Sequence, residues 1–162
     1  MLSDKLLKAL NNQINKEIYS SYLYLAIAGH FETEGLKGFA SWMKIQAQEE
    51  LSHAMKFYEY IYDRDSQMEF LPIEAPAPKL GTPLEVLQIV LKHEESITKS
   101  IHDVYSLARE EGDYASESFL IWFINEQTEE EATLRDYIDS FKFVDGKTGV
   151  MLIDRKLGER TK

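Results

Sequence analysis

The chain has no cysteine, which excludes disulfides, thiolate nucleophiles and sulfur-ligated metal sites together. Proline is nearly as scarce. All four prolines fall between positions 72 and 83, so outside that window only glycine interrupts helix formation. Long apolar runs are missing too: the longest is Phe119 to Ile124, far below the roughly 20 residues that span a bilayer. The N-terminus, MLSDKLLKAL, reads as an amphipathic helix with an acidic Asp4 and not as the apolar core of a secretion signal. Positive charge is in deficit, with 18 Lys and Arg against 28 Asp and Glu and a formal net charge of −10. Such a surface repels nucleic acid and anionic membranes and attracts cations. No nucleic-acid or membrane partner is expected, and a cytoplasmic location suits a cysteine-free chain.

What remains is a chain made for helices. At 162 residues and 44% hydrophobic it holds enough apolar surface for one core, and residues 1–162 are expected to form a single domain. Gly35 and Gly112 each separate two periodic segments, and the proline window separates the halves. The pattern predicts helices near 4–34, 37–64, 83–111 and 114–142, each about 40 Å long at 1.5 Å per residue. The third has the clearest start. Thr82 is placed to cap, Pro83 to take the first helical position and Glu85 to close a capping box. The segment from Asp65 to Gly81 is too long for a turn between neighbours and long enough to run the length of a bundle, which predicts one long crossover. A short fifth helix near 148–158, with Val150, Leu152, Ile153 and Leu157, is predicted to face a partner.

Each of the four helices carries an inward stripe in steps of three and four. The stripes run Leu10, Ile14, Glu17, Ser21, Tyr24, Ala28, Phe31, then Phe39, Met43, Gln46, Glu50, His53, Phe57, Tyr60. In the second half they run Leu87, Val90, Glu94, Ile97, Ile101, Val104, Ala108, and Leu120, Phe123, Gln127, Glu130, Leu134, Tyr137, Phe141. All four are apolar except near the middle. Glu17 and His53 both stand eighteen residues from Gly35, and Glu94 and Glu130 both stand eighteen from Gly112, so helices that turn at these glycines bring each pair to one level. A shift of 77 positions also relates Glu17 to Glu94, Gly35 to Gly112, Glu49 to Glu126 and Tyr60 to Tyr137, as two copies of one helical hairpin would.

An unpaired buried carboxylate costs several kcal/mol, and a cluster of them is tolerable only around a cation. Glu17 with the Glu50-x-x-His53 pair offers two oxygens and an imidazole nitrogen to one ion. Glu94, Glu130 and a shared Glu50, with Gln127 nearby, offer oxygens to a second. This mixed set suits iron or manganese. Glu49, Glu126 and Glu129 lie one position off the stripes and are expected to offer a third, transient site or an exit path.

Glu17, Tyr24, Glu50 with His53, Glu94, Gln127 and Glu130 at these spacings resemble the non-haem ferritins of prokaryotes, over nearly the whole chain. The resemblance implies an all-α, ferritin-like four-helix bundle with one long crossover and a short fifth C-terminal helix. It implies a ferroxidase that oxidises Fe(II) with dioxygen or hydrogen peroxide, binding the first iron through Glu17, Glu50 and His53 and the second through Glu50, Glu94 and Glu130. Glu49, Glu126, Glu129 and Glu130 would form the third site, Tyr24 would donate an electron, and twenty-four subunits would enclose a ferric oxide mineral. Bacterioferritins carry a haem-ligating methionine directly after the bridging glutamate; Leu51 stands there, so no haem is expected. Ser52 and Met55 replace acids that vertebrate ferritins place on the cavity face, and of an acidic entry pore Glu117 matches while Leu120 does not. Trp122, one turn from Glu126, is read as packing before redox, and His30, His93 and His102 as surface or core. Two competing readings are a di-iron oxygenase or reductase that keeps its metals, and a structural bundle whose glutamates face water.

Overall fold

The computed structural model describes residues 1–161; Lys162, the last residue of the predicted domain, lies outside the described residues. Five α-helices follow one another: α1 Asp4–Glu34, α2 Lys37–Asp63, α3 Pro83–Glu110, α4 Tyr114–Ser140 and α5 Gly146–Gly158. A single 3-10 turn over Phe141–Phe143 links α4 to α5. No strand occurs among the described residues, and none of their helices is long and apolar enough to cross a membrane.

Local chemistry sets the ends. Ser3 accepts from the Leu6 amide at 3.1 Å and starts α1. The Thr82 capping box is formed, with the Glu85 carboxylate accepting from the Thr82 amide at 2.7 Å. Gly35 and Gly112 take φ of 78° and 68°, the left-handed region that costs a side-chain-bearing residue about 1 to 2 kcal/mol. Both helical hairpins turn there. Asp113 accepts from the Ser116 amide at 3.0 Å and pairs with Arg64 at 2.7 Å, so one carboxylate caps α4 and ties it to the end of α2.

The α1–α2 and α3–α4 hairpins pack against each other through α1 and α3. Residues 64 to 82 form the crossover and lie along α1. Asn11 accepts from the Glu69 amide at 2.9 Å, Asn15 donates to the Pro72 carbonyl at 2.9 Å, and Met68 is buried. This is the four-helix bundle with a long crossover that the stripes and the proline window imply.

The fifth helix docks first on its own chain. It packs on α2 of its own chain, with Ile153 and Leu157 buried and Val150 half-buried in the core, while Leu152 is 61% exposed. Its stripe reads 150, 153, 157, one helical face, and that face is taken by α2. The Phe39 amide donates to Asp154 Oδ1 at 2.9 Å, which caps α2 from α5. A Cβ on Gly38 would stand 1.6 Å from the Asp154 carbonyl oxygen, so this approach requires glycine.

Two apolar clusters fill the bundle. One holds Tyr24, Phe31, Phe39, Trp42, Leu87 and Leu134 with α5; the other holds Leu6, Ile14, Phe57, Ile101, Leu120 and Phe123. Between them lies a layer of buried polar side chains.

Candidate metal centre

That layer consists of Gln13 and Glu17 from α1, Gln46, Glu50 and His53 from α2, Glu94 from α3, and Gln127 and Glu130 from α4, each at most 7% exposed. All lie on the inward stripes or, for Gln13, one turn before Glu17 on the same helix. Among the described residues no lysine or arginine is buried, so no fixed cation offsets the four carboxylates within the layer.

Glu17, Glu50 and His53 converge: one ligand atom from each lies within 4.8 Å of the other two. Glu17 Oε2 and both oxygens of Glu50 find no hydrogen-bond donor in the protein. Buried polar atoms are rarely left so. Their orphaning together, beside an imidazole nitrogen, fits a cation with mixed oxygen and nitrogen ligands, as iron prefers.

The other carboxylates are held from the side. Three glutamine amides each donate to one acid: Gln13 Nε2 to Glu17 Oε1 at 2.7 Å, Gln127 Nε2 to Glu94 Oε2 at 2.9 Å, and Gln46 Nε2 to Glu130 Oε2 at 2.8 Å. The Tyr24 hydroxyl donates to the second oxygen of Glu94. Glu50 alone receives no such donor, which leaves both its oxygens free to bridge.

Electrostatics follow from the burial. Desolvation first, then the Glu50 charge, push Glu17 well above the usual carboxylate range. Desolvation and then Glu94 do the same to Glu50. Glu94 is raised by burial and partly restrained by its bonds from Tyr24 and Gln127. Burial and the Glu94 charge push Glu130 up to about 7. The Tyr24 hydroxyl is raised by burial and by Glu94, which keeps it a donor. Without a metal ion, protons neutralise the layer; a divalent cation would displace them.

The outer acids are placed differently. Glu49 pairs with Arg160 at 2.7 Å, Glu126 is half-buried and Glu129 exposed. Among the described residues, Glu17, Glu50 and His53 are the one group of acids and histidines close enough to share an ion. Trp122 is 40% exposed and sets its ring against His53 with centroids 5.4 Å apart, under Lys56 Nζ at 4.4 Å. His93 is half-buried between Tyr19 and Tyr24 and shares a 2.7 Å bond with Ser20; burial lowers its pKa to about 4, so it is neutral.

Sequence reasoning gave no role to Gln13, Gln46 or Arg160. The two glutamines did leave a signal, since each stands one turn before a ligand candidate. Arg160, beyond the last helix, left none.

A family model for the ferritin-like domain matches residues 7–144. The chain is 42% identical over 160 residues to the bacterial non-heme ferritin of Bacteroides fragilis (strain 638R), covering 99% of this chain and 100% of that protein. It is 38% identical over 162 residues to the bacterial non-heme ferritin of Staphylococcus aureus (strain MRSA252), covering 99% and 98%. Among solved structures, an open pore ferritin from the hyperthermophilic archaeon Archaeoglobus fulgidus superposes with a TM-score of 0.96 at 40% identity, covering 99% of this chain and 100% of that one.

Proposed function

The chain belongs to the ferritin-like family, and on that footing we propose that it stores iron, oxidising Fe(II) to Fe(III) at a dinuclear centre within each subunit. The observation that supports this most is the convergence of Glu17, Glu50 and His53 around a point where buried carboxylate oxygens have no other partner. Iron is here substrate and cargo.

The first Fe(II) binds Glu17, Glu50 and His53, and the second binds Glu50, Glu94 and Glu130. Glu50, free of hydrogen bonds on both oxygens, serves both. Each Fe(II) gives one electron to dioxygen or hydrogen peroxide. Gln13, Gln46 and Gln127 hold the flanking carboxylates in place, so that two ions enter a set of ligands already oriented. Tyr24 supports Glu94 and stands ready as an electron donor. Fe(III) leaves by Glu49, Glu126 and Glu129 and is stored as ferric oxide in a shell of twenty-four subunits. The reading takes residues 1–162 as one domain, needs no haem and places the protein in the cytoplasm.

Replacing Glu50 and His53 by alanine tests the proposal through the rate of Fe(II) oxidation on mixing with air. A rate equal to that of the unaltered protein would end it.

A further inference from the structure

Arg160 lies beyond the end of α5, yet it reaches the edge of the metal layer. Its Nη2 donates to Glu49 Oε1 and Oε2 at 2.7 and 2.8 Å. Its Nη1 donates to Gln46 Oε1. The guanidinium also sits 6.0 Å from the centroid of the buried Trp42 ring. A guanidinium only donates, so Gln46 must turn its oxygen to Arg160 and its amide N–H to Glu130 Oε2, 2.8 Å away. One cation outside the layer thereby occupies an outer acid and sets the donor direction at an inner one.

The placement is not a loose tail's. Ile153 and Leu157 are 4% and 0% exposed, and Asp154 caps α2 at 2.9 Å, so α5 is fastened immediately before Arg160. The comparable arrangement on the far side serves Glu17. Lys16 Nζ donates to Ser100, which donates to Gln13 Oε1, both at 2.6 Å, and Gln13 Nε2 then faces Glu17. That relay ends on no acid at the surface. Arg160 does, and this is the difference that gives it a further task.

We propose that Arg160 is a tethered cation standing where a third metal ion would bind at Glu49, so that an ion reaches Glu49 only by displacing the guanidinium. The proposal rests on the proposed function's reading of the buried layer as a metal centre and of Glu49 as part of the path by which iron leaves it. Displacement also removes the donor that orients Gln46, so occupancy at Glu49 loosens the amide bond to Glu130 and couples the outer site to the inner pair. Fe(III) leaving the centre would have to exchange with Arg160, which makes the end of α5 a gate on onward transfer.

Redox-inert Zn²⁺ separates this from catalysis. The assembled protein is titrated by calorimetry at neutral pH as wild type, Arg160→Gln, Arg160→Lys and the double variant Arg160→Gln with Glu49→Gln. Wild type is expected to take two tight ions per subunit and a third weakly. With the Arg160 and Glu49 side chains 27% and 30% exposed, a pair of this kind is worth roughly a two- to fivefold change in affinity. Arg160→Gln should therefore tighten the third step by about that factor, the double variant should lose the gain, and Arg160→Lys, a point charge without the planar fork, should fall between. Anomalous scattering from Zn²⁺ in Arg160→Gln crystals should appear beside Glu49. A third step unchanged in both single variants overturns the proposal while the two inner ions uphold the function. Wild type that binds no Zn²⁺ at the inner pair overturns both.

Discussion

His53 Nδ1 and Glu50 Oε2 lie 3.7 Å apart, one turn apart on α2. That is too far for a hydrogen bond, but it is the spacing of two ligands on one ion when each bond is about 2.0 to 2.2 Å. The helix backbone sets this spacing before any metal ion arrives. The centre is therefore largely preorganised, and its instability without a cation is the other side of that preorganisation.

Glu50 should show this most directly. Its side chain is fully buried with neither oxygen hydrogen-bonded, so Glu50→Gln removes an uncompensated carboxyl and leaves the volume unchanged. The metal-free variant is expected to be more stable than wild type at pH 8 by about 1 to 3 kcal/mol. The rise in melting temperature on adding Zn²⁺ should largely vanish. Calorimetric melting with and without Zn²⁺ measures both, and a destabilised metal-free variant would contradict the account.

Stability without metal should fall as pH rises. Glu130 is raised to about 7, with burial the leading cause, and Glu17, Glu50 and Glu94 are raised too. A carboxyl whose folded pKa is raised contributes stability fully below its unfolded value of about 4.3 and loses it as pH climbs through the folded value. Asp113, lowered to about 2 by Arg64, works the other way, contributing above about 3.9 and losing it toward pH 2. The metal-free protein should thus be most stable near pH 4 to 5 and lose about 5 °C or more by pH 8. Saturating Zn²⁺ replaces the protons, so its stabilisation should grow over the same range. Melting curves that climb steadily from pH 5 to 8 without metal would rule this out.

Tyr24→Phe removes the donor to one oxygen of Glu94 without opening a void, because the ring stays packed in the core. Without that bond the ionised form of Glu94 is less favoured. The second Zn²⁺ should bind about tenfold more weakly near pH 6, while the first, at Glu17, Glu50 and His53, should change little. Stepwise titration distinguishes the two, and equal weakening of both steps would point to general damage.

The fold class was legible because punctuation and periodicity agree. Four prolines in one window, Gly35 and Gly112 between periodic segments, and stripes whose acids stand eighteen residues from those glycines leave few ways to pack four helices. The direction of α5 was not legible, since a stripe of Val150, Ile153 and Leu157 says that a face is buried and nothing about which surface buries it. Only the space left at Gly38 names α2. Gln13 and Gln46 were visible as polar residues near the ligands, but an amide both donates and accepts, and its partner across the bundle depends on packing. Gln46 serves Glu130 on α4 and not Glu50 on its own helix. Charge count could not separate Arg160 from the other seventeen basic side chains, because its reach to Glu49 depends on where α5 docks.

Gly38 offers a test of that docking which leaves every acid and amide in place. A Cβ there would meet the Asp154 carbonyl oxygen at 1.6 Å and its carbonyl carbon at 2.5 Å, and backbone atoms cannot turn aside as a flexible side chain would. Gly38→Ala must therefore push α5 away from α2, at a cost of about 1 to 3 kcal/mol for an overpacked contact. The loss includes the cap from Asp154 to Phe39 and part of the burial of Ile153 and Leu157. The four long helices do not depend on this contact, so helical content should fall only slightly, while protease cleavage between 144 and 158 should speed up. Because Arg160 is carried by α5, the same substitution should also tighten the third Zn²⁺ step. A variant in which α5 becomes cleavable while that step stays fixed would show that Arg160 holds Glu49 without help from the helix before it.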